Sequence, residues 1–368
     1  MKTLVFLVLV TAVVAATLQV RYGAGEPYPD LGGEALLAEE TLETVLSYPE
    51  PIGNVAVTDG GRLFFTVHPE SRPTGNKLLE WINGAAEPYP NGSVQQTLFR
   101  TVLGLYIDRQ ERLWSIDHGN HGFGDARLLA FDLATDELVF DQALSRDIAP
   151  AGSMLQDLRV SHDGRWVFIA DASIWLQRPA IIVYDTQTHT ARRVLENHPS
   201  VEVEDYLIRT PTRDMSYLGG LLSLKAGVDG LTLDAAGDWL YYGAINQSGL
   251  FRVPVRTLID GNLPERQVAN QVERVTDKPL SDGLNAGADG SIYVTDVEHG
   301  AVYRWHPESQ MEMLVRSSRI RWADNLDFGE DGWLYIADSA IPDLVLQTGD
   351  HIRDAGPYRI FRVPVPQP

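Results

Sequence analysis

The feature that most constrains this chain is a strand–turn–strand pattern that returns six times between residues 52 and 338. The clearest copy runs from Asp229 to Ala244, with apolar residues alternating on both sides of a tight Asp/Gly turn. This pattern is typical of a hairpin of half-buried strands. In the other five copies, the position of Gly237 is taken by Gly61, Glu111, Gly164, Gly290 and Gly332.

The spacing of these copies predicts the fold. Successive turn positions are about 50, 53, 73, 53 and 42 residues apart, a period that fits one four-stranded blade of a β-propeller per repeat. We therefore predict an all-β fold, a six-bladed β-propeller covering residues 42–368. A lone predicted strand at residues 42–48 should pair with residues 358–365, complete the last blade and so close the ring.

Composition restricts the classes of partner. The net charge is −20, from 50 acidic and 30 basic residues, which argues against a nucleic-acid partner and against binding to an anionic membrane surface. The chain has no cysteine, so disulfides, a zinc–thiolate site and a cysteine nucleophile are excluded. A small-molecule ligand or substrate is the partner that we expect.

The N-terminal segment carries information about location. Met1-Lys2 is followed by an uncharged apolar run that ends at Val20, before Arg21. Residues 1–24 therefore fit a secretory signal peptide or an uncleaved membrane anchor, and residues 25–41 fit a spacer outside the propeller. We expect an exported protein, periplasmic or extracellular, with any membrane attachment confined to this segment.

Propeller geometry predicts which polar residues meet at one mouth of the central channel. Residues that precede the first strand of each hairpin and residues that follow its second strand should share that mouth. The first set is Asn54, Asp157, Asp229, Asp282, Asp324 and Asn325, and the second includes His68, His118, His121, Asp171, Asn246, Asp296, His299 and Asp338. Such oxygen donors and imidazoles could bind a small ligand or a hard cation such as calcium. Alternatively, the aspartates accept backbone hydrogen bonds and fix the connections between blades.

The longest gap between repeats contains an insertion of about twenty residues at 201–227. Because it precedes the first strand of a blade, we expect it at the same mouth as the polar residues. There Arg209, Arg213 or Tyr217 could contact a ligand. The alternative is a surface excursion without a role.

With these residues placed, the chain resembles the major royal jelly protein/yellow family, within the wider six-bladed group of gluconolactonases and paraoxonases. The resemblance lies in the stretches Gly53–Val57 and Arg62–Pro69, Asp108–Gly119, Ile181–Asp185, Asp229–Leu233, Leu240–Gly243 and Phe251–Leu258. It covers nearly everything after the N-terminal segment. A six-bladed propeller and export are what it implies.

The wider group also implies site residues. Ser281-Asp282-Gly283 resembles the gluconolactonase motif whose aspartate ligates a divalent ion and acts as general base. Asp229 stands at the position of a second metal ligand, and Asp324-Asn325 resembles a calcium-ligand pair of paraoxonases. Blade one has Gly53-Asn54 where this group has a glutamate ligand.

Three functions follow as hypotheses. In the first, a divalent ion, expected to be calcium, is held by Asp229, Asp282, Asp324 and Asn325, and Asp282 activates water for lactone hydrolysis. In the second, the channel binds a small amine or aromatic molecule without turnover, through such residues as Asn54, Asp157, His121 and Asn246. In the third, a dopachrome-tautomerase-like isomerase uses His118 or His299 as its proton carrier.

Overall fold

The protein is described by a computed structural model that covers residues 2–23, 25–329 and 332–365. Six four-stranded antiparallel sheets surround a central channel, which confirms the predicted all-β six-bladed propeller. From inner to outer strand, the first three blades are Ile52–Val57, Leu63–Val67, Leu78–Ile82, Ala85–Pro88; Val102–Ile107, Arg112–Asp117, Arg127–Asp132, Glu137–Ala143; and Leu155–Val160, Trp166–Asp171, Ala180–Asp185, Thr190–Val194. The next two blades are Val228–Leu233, Trp239–Ala244, Gly249–Pro254, Glu273–Asp277; and Leu284–Ala286, Ile292–Asp296, Ala301–Trp305, Glu312–Arg316.

The sixth blade joins the two ends of the chain. Its inner strands are Ala323–Phe328, Trp333–Asp338 and Tyr358–Pro364. Its outer strand is Glu43–Tyr48, which pairs antiparallel with Tyr358–Pro364 so that Glu43 lies opposite Arg362. This is the pairing predicted from the sequence. The inner strands of neighbouring blades contact one another around the channel, and the sixth contacts the first.

The hairpin turns confirm the alignment of the six repeats. All six equivalent turn positions have positive φ: Gly61, Gly164, Gly237, Gly290 and Gly332, with Glu111 at φ 56° as the non-glycine member. Glycine adopts this left-handed backbone without the steric cost that other residues carry. Glu330 and Asp331, in the sixth turn, lie outside the described residues, as do Met1, Ala24 and residues 366–368, which fall within the predicted N-terminal segment and propeller.

An arginine–tryptophan pair recurs in four of the blades. The guanidinium carbon of Arg112, Arg165, Arg252 or Arg362 lies 4.1–4.9 Å from the ring centroid of Trp114, Trp166, Trp239 or Trp333, respectively. Trp114 is fully buried, and in the other three pairs the cation–π contact covers part of a half-buried ring near the hairpin turn. The tryptophans are therefore part of the packing of the blades.

The segment before the propeller lies against it. The helix Lys2–Tyr22 is followed by Glu26–Pro27, which pairs in parallel with Tyr206–Leu207 of the insertion. Further along, the backbone amides of Leu36 and Leu37 donate to Met313 and Leu314 on the outer strand of blade five. Residues 25–41 are thus packed on the propeller, whereas a free spacer was expected. Among the described residues, no helix has both the length and the apolar character needed to cross a bilayer.

Short elements decorate the connections. The insertion forms a small hairpin from Ser216–Tyr217 and Leu222–Ser223 around the turn Leu218–Gly220. The remaining short helices are Glu39–Thr41, Pro69–Ser71, Gly92–Thr97, Val255–Ile259, Glu265–Ala269, Ile341–Asp343 and Gly349–Asp354.

Candidate functional site

A polar ring is built where each inner strand begins. The register of the inner hairpin slips near this point in most blades, for example between Leu155 and Leu158. Two consecutive residues per blade are thereby placed at the channel mouth: Gly53-Asn54, Leu103-Gly104, Gln156-Asp157, Asp229-Gly230, Asp282-Gly283 and Asp324-Asn325. A bulge of this kind re-aims side chains, and here it directs polar ones to the propeller axis.

Glycines allow the inner strands to approach closely between these polar residues. A Cβ on Gly104 would lie 2.0 Å from the carbonyl oxygen of Gln156 in the next blade. On Gly283 it would lie 2.4 Å from the carbonyl oxygen of Asp324. These contacts are with backbone, which cannot move aside, so only glycine fits.

Four carboxylates of the ring, Asp157, Asp229, Asp282 and Asp324, are buried and are called the channel group below. Burial raises the pKa of Asp157 to about 6 and that of Asp282 to about 7. Burial, with the charge of Asp282 added, also raises the pKa of Asp229 and Asp324 well above the ordinary value. Negative charge is therefore costly here unless protons or a cation neutralise it.

The channel group is sparsely hydrogen-bonded. Trp322 donates its indole N–H to Oδ2 of Asp282 at 2.5 Å, and Asp229 and Asp282 hydrogen-bond to each other, which requires a shared proton. Oδ2 of Asp157 and Oδ2 of Asp229 are buried and have no partner among the described residues. Buried polar atoms without partners are rare, so these two oxygens mark a position for a ligand or an ion.

The two asparagines of the ring serve the fold as well as the site. Oδ1 of Asn54 accepts from the backbone amide of Leu105, and Oδ1 of Asn325 accepts from that of Val55. Each bond joins the inner strand of one blade to the inner strand of the next. Asn54 also hydrogen-bonds to Asp157, which lowers the pKa of that carboxyl against the larger effect of burial.

A second set of acidic residues ends the second strand in blades two, three, five and six, at the same mouth. Asp117, Asp171 and Asp338 accept from the backbone amides of Thr101, Met154 and Trp322, which immediately precede the inner strands of their own blades. We call these residues, with Asn246, the connector group. The predicted alternative role, fixing the connections between blades, is what the structure shows for this set.

Asn246 occupies the connector position of blade four. Its Oδ1 accepts from the backbone amide of Ala226, as an aspartate would. Its amide nitrogen donates to the carbonyl oxygens of Tyr206 and Leu224, at the two ends of the insertion. Blade four has an asparagine at this position because the two carbonyl oxygens of the insertion need a hydrogen-bond donor, which a carboxylate cannot supply. Asn246 was predicted to contact a ligand, but its side chain hydrogen-bonds to backbone groups instead.

Histidines and one glutamate form a cluster beside the channel group. Nε2 of His121 lies 2.8 Å from Oε1 of Glu70, and Nε2 of His68 lies 3.6 Å from Oδ2 of Asp324. Burial lowers the pKa of His68 and of His118 to about 4. Burial alone would raise the pKa of Glu70, but the hydrogen bond and charge of His121, with the other two histidines, lower it to about 2.

Sequence reasoning missed Glu70 and Trp322. Blade one lacks a glutamate on its inner strand, yet Glu70 reaches the same mouth from the turn Pro69–Ser71 after the second strand. The run His68-Pro-Glu70 was a usable signal, because His68 was already placed at the mouth and Glu70 is two residues further on. Trp322 gave no such signal, since an apolar residue before a strand is ordinary.

His299 lies apart from these residues. Its Nδ1 is 2.9 Å from Oδ2 of Asp296, and this hydrogen bond raises its pKa. Asp30 of the N-terminal segment is its other acidic neighbour, with Nε2 at 3.8 Å from Oδ2. The structure therefore does not bring His299 together with Asp282 and His118.

A cavity of about 180 Å³ opens above the channel group. Asp282, Gln156, His68, Glu70 and His121 supply its polar atoms. Most of its surface is apolar, from Met154, Ile174, Trp175, Leu222, Leu224, Ala226, Ile245, Trp322, Ile341, Val345 and Leu346, with Tyr22, Tyr217 and Ser223 at the side of the insertion. The insertion covers this mouth, as predicted, and Arg213 stacks on Tyr217 at 5.1 Å.

The channel group fits a hard divalent ion in donor type and in charge. Calcium prefers carboxylate and amide oxygens, and it accepts water at its remaining positions. Within the described ranges, the three carboxylate or imidazole atoms found within 4.8 Å of one another are those of Asp30, Asp296 and His299. There Arg316 already supplies a cation, 2.9 Å from Asp30. An ion at the channel group would therefore need water ligands or small movements of the carboxylates.

Comparisons with known proteins agree with this architecture. A gluconolactonase from Xanthomonas campestris superposes with a TM-score of 0.57 at 14% identity, covering 94% of this chain and 98% of that one. A luciferin-regenerating enzyme superposes with a TM-score of 0.57 at 9% identity, covering 88% and 95%. At such low identities these similarities show a shared fold.

Sequence comparison identifies the family. Major royal jelly protein 2 of Apis mellifera is 23% identical over 261 residues, which are 67% of this chain and 55% of that protein. The chain thus spans little more than half the length of this relative. The family model of the major royal jelly proteins matches residues 100–353, more than half of the sequence. The chain belongs to the major royal jelly protein family.

Proposed function

We propose that this protein is a divalent-metal-dependent hydrolase of the lactonase type, which acts on a lipophilic lactone or similar small ester at the covered mouth of the channel. One observation carries the proposal: Asp282 lines a mostly apolar cavity and belongs to a group of four buried carboxylates, in which Asp157 and Asp229 each have a buried oxygen without a partner among the described residues. Carboxylates in such surroundings are typical of catalytic or ion-binding sites.

The cavity lining indicates the substrate class. A sugar lactone carries several hydroxyl groups, and each would need a hydrogen-bonding partner in the bound state. The side chains above the carboxylates, such as Ile174, Leu224, Ile245 and Val345, offer none. An apolar ring or acyl chain would be buried there favourably, with its ester group directed at the floor.

The chain's own residues divide the work as follows. Asp229, Asp282, Asp324 and Asn325 would hold the ion, which when bound would polarise the ester carbonyl. Asp282, the member of the channel group that lines the cavity, would take a proton from water. Trp322 fixes the orientation of the Asp282 carboxylate through its indole N–H.

The Glu70–His121 pair is proposed to bind the polar end of the substrate. Both side chains line the cavity, and Nδ1 of His121 is buried without a partner among the described residues. The hydrogen bond to Glu70 fixes the ring orientation of His121. A substrate oxygen or hydroxyl could then meet that free nitrogen.

Binding without turnover is the second candidate. The apolar lining that favours a lipophilic ester would equally hold an aromatic amine, and the channel group would bind its ammonium. An isomerase that uses His118 or His299 has less support. His299 does not line this cavity, whereas His118 lines a neighbouring one of about 250 Å³ beside Glu70 and His121.

Export remains part of the proposal. The apolar helix Lys2–Tyr22 is the segment that would act as signal or anchor, and its end contacts the insertion through bonds from Ser223 to the carbonyl oxygens of Tyr22 and Gly23. Fractionation of expressing cells tests the periplasmic or extracellular location.

Calcium-dependent melting of the full chain tests the metal. A ligand that binds only the folded state stabilises it, by about 2.7 kcal/mol at a hundredfold excess over Kd. We expect calcium to raise the Tm of chelator-treated wild type and of Asp141→Asn, a surface control, and to have no effect on Asp229→Asn. No response in the wild type would exclude the metal.

Turnover is then measured on a medium-chain lactone and on gluconolactone. We expect hydrolysis of the first, loss of about 10²-fold or more in Asp282→Asn, and little activity on the second. Stoichiometric ligand binding without turnover would instead establish the binding protein. Equal rates for both lactones would contradict the assigned substrate class.

A further inference from the structure

The opposite mouth of the channel contains a second, larger cavity of about 800 Å³. It is lined from the side of the hairpin turns, and it shares no lining residue with the cavity above the channel group. Its volume lies within the range of small-molecule sites. The proposed hydrolase has no use for it.

A belt of hydrogen-bonded residues from neighbouring blades lines the second cavity. Asn285 donates to the carbonyl oxygen of Leu326 at 2.9 Å and to Oδ1 of Asp327 at 3.2 Å. The backbone amide of Ala286 donates to Oγ1 of Thr232 at 3.1 Å. These bonds join the inner strands of blades four, five and six at this mouth of the channel.

Arg159 is the unusual member of this belt. Its side chain is 2% exposed, yet it lines the second cavity. Nη1 and Nη2 donate to the carbonyl oxygens of Leu158 and Leu284, while Nε is buried and has no partner among the described residues. A buried guanidinium N–H without an acceptor at the floor of a cavity is a recognition group for an anion.

The carboxylates at this cavity have hydrogen-bond donors of their own. Arg109 and His162 lie at the rim, beside Asp234 and Asp289. Both rim carboxylates accept within their own turns: Asp234 from the amide of Trp239, and Asp289 from the amide and hydroxyl of Ser291. Asp327 accepts from the amide of Val57, and its charge and that of Asp157 interact with the Arg159 guanidinium, whose Nε–H nevertheless has no acceptor among the described residues.

Aromatic side chains supply the remaining surface. Arg159 stacks on Tyr106, with its guanidinium carbon 5.2 Å from the ring centroid, and Phe328 lines the cavity with Leu233 and Ala286. We infer that this mouth is a second ligand site, which binds an organic anion with a flat aromatic body and places its carboxylate on Arg159. Tyr106 and Phe328 would cover the ring.

Binding of 2-naphthoate to the full chain, followed by its fluorescence, tests the inference. The neutral 2-naphthamide is the matched probe, with the same ring and no charge. We expect saturable binding of the naphthoate, and binding of the amide weaker by about tenfold or more. Equal binding of both probes, or no binding at millimolar concentration, would overturn the inference.

Variants locate the site. Arg159→Met should weaken naphthoate binding about tenfold or more, and Arg109→Ala with His162→Ala should weaken it several-fold. Arg109 is exposed and His162 is half-buried, so the double rim variant should fold. It therefore keeps the test valid if Arg159→Met does not fold. Asp282→Asn, at the other mouth, should bind naphthoate like the wild type. Loss in Asp282→Asn together with unchanged binding in the rim variant would refute the second site, without bearing on the proposed hydrolase.

Discussion

The channel group and the connector group place aspartates at the same mouth of the propeller, and the two are held in opposite ways. Asp117, Asp171 and Asp338 of the connector group accept two or more hydrogen bonds from backbone amides or side chains. In the channel group, Asp157 and Asp229 each keep a buried oxygen without a partner among the described residues. Aspartates predominate in both groups, so hydrogen bonding and not residue type distinguishes structure from function here.

The difference arises from the position along the hairpin. A connector residue ends the second strand, where the chain entering the same blade presents its free amides. A channel residue begins the inner strand, where its neighbours are carbonyl oxygens and other carboxylates, as the close approach of Gly283 to the carbonyl of Asp324 shows. Backbone N–H groups can donate hydrogen bonds to a carboxylate, whereas carbonyl oxygens cannot. Substitutions in the two groups should therefore change stability in opposite directions.

The largest effect is expected for Asp171→Asn. This carboxylate is fully buried, and it accepts from Arg193 Nη1 at 2.7 Å as well as from Ser153 and the amide of Met154. The amide group would face a buried guanidinium with a donor, so we expect a loss of about 3 kcal/mol in the free energy of unfolding. Urea denaturation measures it, with Asp141→Asn as the exposed control. If Asp171→Asn lost less free energy of unfolding than Asp141→Asn, the structural role assigned to the connector group would be wrong.

A smaller loss, of about 2 kcal/mol, is expected for Asn246→Ala. The substitution leaves the amide of Ala226 and the carbonyls of Tyr206 and Leu224 without their side-chain partner. Because these groups belong to the insertion, hydrogen exchange should accelerate first in residues 206–226. Faster exchange spread evenly over blade four would contradict the assigned role.

The substitution Asp157→Asn should increase the free energy of unfolding of the chelator-treated protein, in contrast to the two substitutions above. Its folded-state pKa, about 6, lies above the unfolded value, so the folded state holds an extra proton and stability falls as the pH rises from about 4 to about 6. Above that window the charged form carries its full cost. The variant should match the wild type at pH 4 and exceed it by about 1–2 kcal/mol at pH 8. A pH-independent difference would be inconsistent with this origin.

The smallest effect is expected at Asp296, the blade-five residue at the connector position. It accepts from the amides of Glu298 and His299 and from the His299 ring. In Asp296→Asn the amide oxygen can keep the backbone bonds, so stability should change by less than about 1 kcal/mol. The raised pKa of His299 should fall towards its ordinary value, which an NMR titration follows. An unchanged pKa would show that Asp30 alone sets it.

Much of the fold could be predicted because it is repeated. Six equivalent turns, each with positive φ, and alternating apolar strands specify the blades locally. The strand at residues 43–48 could be predicted from counting, since the last repeat lacked one strand. The contact of residues 36–37 with blade five could not, because the bonds to Met313 and Leu314 are made by backbone amides and have no side-chain signature.

The site was predictable as a set of residues, and their individual roles were not. The strand count placed Asp157, Asp229, Asp282 and Asp324 at one mouth, where the structure has them. The role of Asn246 depends on which backbone groups the insertion presents, and that of Asn54 on the amide of Leu105 in the next blade. His299 follows its strand as predicted, but its ring turns to Asp296. The direction of a side chain is a tertiary property.

The way the sixth blade joins the two ends of the chain affects how the protein folds during its synthesis. Glu43 and Arg362 meet across its outermost strand pair although they are 319 positions apart. On the ribosome, the strand Glu43–Tyr48 is made first and stays without its neighbour until the rest of the chain has emerged. For that time an unpaired strand edge is open to other chains, and the rate of translation sets how long the exposure lasts. A nascent-chain chaperone that covers this edge would benefit the molecule more than one that assists any later blade.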